Sequence, residues 1–169
     1  MNDHLLLDLA ERVRGRAFGK YRGTVTEVDA DTLRLKAKVP AVLHETTSGW
    51  CWPCVPYAGD GVGFAFLPEV GAGVWIEFEG GDTSYPIWTG CYWRAGEVPP
   101  DATPTVKAIV TAGGSKILLD DDNGVITIED GNKNKLTIDS SGITLERGSN
   151  KVVVSDSSVK VNDSGLEIT

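Results

Sequence analysis

KILLDDDNGVITIEDGNKNKLTIDSSGITLERGSNKVVVSDSSVKVNDSGLEIT, residues 116–169, decides how this chain folds. Seven times it places two aliphatic residues one position apart. The pairs are Ile117/Leu119, Ile126/Ile128, Leu136/Ile138, Ile143/Leu145, Val152/Val154, Val159/Val161 and Leu166/Ile168. Asp, Asn, Ser, Gly and Lys fill the gaps. Alternation of period two marks short strands with one apolar face each. Even spacing of such strands, with polar corners between them, points to a solenoid or β-helix.

One chain does not easily close such a structure. A single-chain parallel β-helix uses coils of about 20 residues around a thick aliphatic interior. Two small aliphatic side chains per strand instead suit a narrow axis where three chains meet. The reading is therefore an intertwined trimeric β-helix, or β-prism, with the fourteen aliphatic residues as its core. The competing reading is an antiparallel meander turning at 122–124 and 140–142, since Asp-Asn-Gly and Ser-Ser-Gly make hairpins. The prism is preferred because a lone meander of such short strands leaves open edges and little core.

The 169 residues carry a net charge of −8. That balance speaks against a nucleic-acid partner, because a phosphate backbone selects basic surfaces. It also speaks against simple attraction to anionic lipid. No stretch approaches the roughly 20 apolar residues of a membrane span. Residues 1–14 mix leucines with five charges and do not read as a secretory signal. Synthesis in the cytoplasm is expected, which three cysteines without a disulfide framework also fit.

Upstream of the repeats, 3–14 reads as a short amphipathic helix with Leu5, Leu6, Leu9 and Val13 on one side. It either packs on its own domain or docks a partner. Residues 19–94 read as an all-β domain. Its five strands are expected at 23–28, 33–39, 62–68, 74–79 and 86–93, and they suit a small OB-type barrel. Trp75, Trp88 and Trp93 read as packing rather than a stacking platform. Residues 95–112 hold three prolines and read as a stiff linker. The stem follows at 113–169.

Candidate chemistry is sparse. Cys51-Trp-Pro-Cys54 has the spacing of redox and zinc sites. Pro56, Gly59, Gly61 and Gly63 deny it the helix that a redox motif opens, and no second ligand pair exists. Asp120-Asp121-Asp122-Asn123-Gly124 begins like a calcium loop, yet the twelfth position is Gly131 rather than glutamate. With only His4 and His44, general-base catalysis has few players. No enzyme, metal or cofactor is expected.

GKYRGTVTEVDAD at 19–31, LRLKAKVPAV at 33–42 and above all GVGFAFLPEVGAGVWIEFEGGDTSYPIWTG at 61–90 resemble the spike proteins of contractile injection machines. That family includes phage baseplate assembly protein V, the gene-5-type tail spike and VgrG proteins. Residues 116–139 are similar to the start of the family's β-helix. The resemblance implies a hub-docking helix at 1–18, an OB domain at 19–94, a linker at 95–112 and a trimeric spike at 113–169. It implies a homotrimeric needle in the baseplate of a phage tail-like particle or virion, meeting the target membrane only mechanically. A separate hub protein would bind Leu5, Leu6, Leu9 and Val13. A PAAR-type tip protein would bind Leu166, Glu167, Ile168 and Thr169. Two departures stand out: no lysozyme lies between barrel and stem, and no His-x-His tip ends the chain. The alternative is an OB-fold module that grips a glycan or receptor on a trimeric stem.

Overall fold

The computed structural model describes residues 10, 11, 13–163 and 166–168, the last three by backbone alone. Ala10, Glu11 and Val13 are helical, and Val13 is 55% exposed. Leu5, Leu6 and Leu9 lie outside the described residues, as does Thr169. The chain divides into two compact units after Gly96.

The first unit is a barrel built on strict alternation. Its strands are β1 (Tyr21–Asp29), β2 (Arg34–Lys38), β3 (Trp52–Pro53), β6 (Gly73–Phe78) and β7 (Pro86–Tyr92), in the sheet order β2-β1-β6-β7-β3. A short helix α1 (Pro40–Leu43) follows β2, and β4 (Ala58–Gly59) pairs with β5 (Val62–Gly63) in a small hairpin. Leu35 and Ala37 of β2 and Val74 and Ile76 of β6 point inward and are fully buried. The neighbours Arg34, Lys36 and Lys38 point outward, which is the half-buried pattern of an antiparallel strand. The sheet closes on itself at Cys51. Its N–H donates to the Leu35 carbonyl at 2.8 Å, so the chain entering β3 returns to β2.

One expectation about the barrel needs correction. Residues 64–68 are not a strand: only Val62–Gly63 of the expected 62–68 run lies in a ladder, closed by the Phe64 N–H donating to the Tyr57 carbonyl at 2.8 Å. Phe64 and Phe66 are both 52% exposed, so the apolar run that signals a strand is a surface loop. The fifth barrel strand is instead β3, parallel to β7 and only two residues long. Its Pro53 fits because the next N–H, that of Cys54, supplies the bond to Trp88 O at 2.9 Å.

The second unit is one antiparallel sheet of eight strands. They are β8 (Val106–Val110), β9 (Lys116–Asp120), β10 (Val125–Glu129), β11 (Lys135–Asp139), β12 (Gly142–Arg147), β13 (Asn150–Val154), β14 (Val159–Val161) and β15 (Leu166–Ile168). Each pairs with its sequence neighbours, so the sheet order is the chain order. This corrects the intertwined β-helix. In that arrangement strands of other chains would lie between consecutive strands of this one, but here both edges of every interior strand are filled by the chain itself. It also corrects the linker: 106–110 is the first strand, with Ala108 opposite Leu118.

The turns explain why a meander forms. Asp120 Oδ1 accepts the backbone N–H groups of Asp122 and Asn123, Asp130 Oδ1 those of Asn132 and Asn134, and Asp139 Oδ1 that of Ser141. Each is an aspartate folding the backbone two or more residues ahead into a turn. Gly142 has φ 131°, and a Cβ there would collide with the carbonyl of Val154 on the next strand but one after β11. Only glycine brings those backbones together.

Candidate trimer interface

Strand register turns the seven sequence pairs into two continuous rows. One runs Ile109, Ile117, Ile128, Leu136, Leu145, Val152, Val161, Leu166, each directly opposite the next. The other runs Lys107, Leu119, Ile126, Ile138, Ile143, Val154, Val159, Ile168. All fourteen expected core residues fall in these rows, two positions apart on every strand, hence on one face of the sheet. Ile109 joins them, and the sequence reading missed it. Its strand, VKAIV, offers only one aliphatic residue at the two inward positions, since Lys107 holds the other. Lys107 is paired with Asp121 across the β8–β9 ladder.

Within its own unit, no described residue covers this aliphatic face. Ile117, Leu119, Ile126, Ile128, Ile138, Ile143, Leu145 and Val154 are all exposed, Leu145 by 51%. Apolar patches that extend over many strands mark interaction surfaces in soluble proteins.

The opposite face carries an alternating ladder of charge. Lys116, Glu129, Lys135, Glu146 and Lys151 stand successively opposite one another on five strands. Opposite charges across a ladder favour this pairing. A one-residue slip would bring the lysines and glutamates onto the aliphatic face, so the ladder fixes the register. Glu129 also accepts from Lys133 at 2.9 Å, and that bond holds its carboxyl below the ordinary range.

The other candidate sites resolve as follows. Cys51 is fully buried in the barrel wall beside Ser48, Oγ to Sγ 3.4 Å, while Cys54 is exposed. Burial pushes the Cys51 thiol above its usual value. The CxxC spacing therefore places its two sulfurs in different environments, because Cys51 sits on an inward strand position and Cys54 lies past the strand end. Among the described residues no group of three or more potential metal ligands gathers. Asp120 serves its own turn. Trp88 is 4% exposed in the barrel core and its Nε1 donates to Leu33 O. Trp75 lies against Tyr92 with the Arg22 guanidinium over both rings, and Trp93 is exposed. Among the described residues no helix is long and apolar enough to cross a membrane.

Residues 21–93 match the type VI secretion system/phage-baseplate injector OB domain, and residues 107–167 match the phage baseplate V C-terminal trimerisation domain. The first match spans the barrel and the second the eight-stranded sheet. The chain belongs to the phage baseplate V family of spike proteins. A comparison with curated proteins finds no significant match.

Proposed function

We propose that this chain is the central spike of a contractile injection machine: a homotrimeric needle beneath the baseplate hub that leads the tube through the target envelope. The observation that carries the reading is the aliphatic face, fifteen aliphatic register positions over eight strands with nine exposed among the described side chains, on a segment that matches a trimerisation domain. Three copies turning these faces toward a common axis bury them at once. Each face of the prism is then one chain's meander rather than strands of three chains in turn. Eight strands at about 4.8 Å apart give a prism of roughly 38 Å.

The remaining parts follow from the same assembly. The sheet order ends at β15, so its outer edge has no partner within the order. Open edges are normally covered, and a PAAR-type tip protein at 166–169 would cover three of them together. The N-terminal helix, with Val13 exposed, would meet a separate hub protein, and the spike would touch the target membrane only mechanically. Its place is the baseplate of a phage tail-like particle or virion. No catalytic step is required of it.

The exposed Trp50 and Trp52 favour the alternative of a glycan- or receptor-binding barrel. Lys36 and Arg34 of the same barrel stand over these rings at 4.6 and 3.4 Å, so a sugar would have to displace them. Electron microscopy of intact particles tests the choice. A spike occupies the tube axis in three copies. A peripheral location, with ligand binding by the isolated protein, would support the alternative.

A further inference from the structure

The two long margins of the stem sheet differ in charge and shape. One margin holds the turns that join β8 to β9, β10 to β11 and β12 to β13. The other holds those that join β9 to β10, β11 to β12 and β13 to β14. Along the first margin, on the aliphatic face, lies a cavity of about 600 Å³. Ile128, Leu136, Leu145, Val152 and Val161 form its floor. Its rim is polar. Asn134 donates to Asp130, and Asn162 to Asn150, so these four satisfy one another. Arg147 also lines the cavity, two residues past Leu145 on the same face of β12; it is exposed, and no hydrogen bond or ion pair from a described residue engages its guanidinium.

The second margin is acidic: Asp120, Asp121, Asp122, Asp139 and Asp156 lie along it, with Lys107 already bound to Asp121. A three-fold ring has only head-to-tail contacts, so each corner joins the first margin of one copy to the second margin of the next. With strands crossing the axis, level along the prism decides which acid meets Arg147. Arg147 opens the β12–β13 turn. Asp139 and Asp156, at the β11–β12 and β13–β14 turns, each lie about one strand spacing, ~4.8 Å, away in level. Asp122 lies about three spacings away. Asp139 already accepts the Ser141 N–H, whereas Asp156 is exposed and engages no described group.

Resting on the homotrimer reading above, we propose that the cavity receives the 155–158 turn of a second copy of this chain. Arg147 pairs with the neighbour's Asp156 at each of the three corners, and the flanking Val154, itself exposed, seats on the aliphatic floor. An arginine forks onto a carboxylate with defined geometry, so the pair also sets the axial register of the three chains.

A charge-swap cycle on the full chain tests this. Arg147→Glu and Asp156→Arg each place like charges at three corners, and the double variant restores them with reversed polarity. Trimer dissociation in urea is followed by light scattering. The expected result is about a tenfold rise in the dissociation constant for each single variant and recovery to near the parent value in the double. If the parent and all variants are trimers and the double variant shows no recovery, the corner pairing is wrong while the homotrimer stands. A monomeric parent overturns both.

Discussion

Leu145 stands directly across from Leu136 in the β11–β12 ladder, yet Leu145 is 51% exposed. A leucine aligned with aliphatic neighbours on both sides gains little from its own chain and much from a second layer. Leu145→Asp therefore separates folding from assembly. In the isolated chain the substitution is close to a surface change, within about 0.5 kcal/mol. In the trimer it places three carboxylates against an apolar axis, at several kcal/mol each. The expected outcome is a chain with unchanged far-UV circular dichroism that runs as a monomer in gel filtration.

All five tryptophans lie between Trp50 and Trp93, and residues 97–169 contain no aromatic residue. Tryptophan fluorescence thus reports the barrel alone. Ile76 is fully buried there, so Ile76→Ala leaves a cavity costing about 2–5 kcal/mol. The fluorescence midpoint in urea should fall accordingly, while light scattering in the absence of denaturant still shows the parent's assembly state.

The thiols should differ in reactivity. Cys54 and Cys91 are exposed and should react with a thiol reagent before Cys51, which should react only as the barrel opens. The pH dependence follows the same burial. Folded Cys51 stays protonated above 9.0, the ordinary thiol value, while the unfolded chain ionises from that point. The unfolded state then binds fewer protons, so the contribution of Cys51 to barrel stability is constant below pH 9.0 and declines above it. Cys51→Ala should reduce that decline, measured as the fluorescence midpoint in urea across the alkaline range, and the Cys91 thiol, which burial also raises, accounts for a further part of it.

Acid acts on the stem through its turns. Asp120 and Asp130 are held below the ordinary carboxylate range, chiefly by the side-chain amides of Asn123 and Asn134, and Asp139 chiefly by Ser141. Their contribution is complete above 3.8, the ordinary value, and is lost as pH falls through their lower folded-state values. Thermal melts of the stem by circular dichroism should drop as pH falls below 3.8. Asp130→Asn should lower the melting point at neutral pH and reduce its change with acid.

The sequence shows which residues share a face of the stem but not which chain supplies the next strand. Ile126-Thr-Ile128 and Leu136-Thr-Ile138 alternate in the same way whether the strand above belongs to the same copy or another, because period two specifies faces and leaves edges open. The short turns decided that question: aspartates at 120, 130 and 139 fold the backbone straight back into the next strand. In the barrel, Leu35, Ala37, Val74 and Ile76 were legible from alternation. The strand Trp52–Pro53 was not, since two residues carry no period. Phe64 and Phe66 misled because an exposed apolar loop and a buried strand have the same composition. Ile109 was hidden behind the prolines at 99, 100 and 104, which read as linker. The contribution proposed for Arg147 depends on its lacking a partner among the described residues, a property of the fold that composition does not record.

The most direct test is the mass of the full chain in solution by light scattering at micromolar concentration. The account predicts three times the 18.1 kDa chain mass, unchanged on moderate dilution. A particle of 18.1 kDa that remains folded would contradict it.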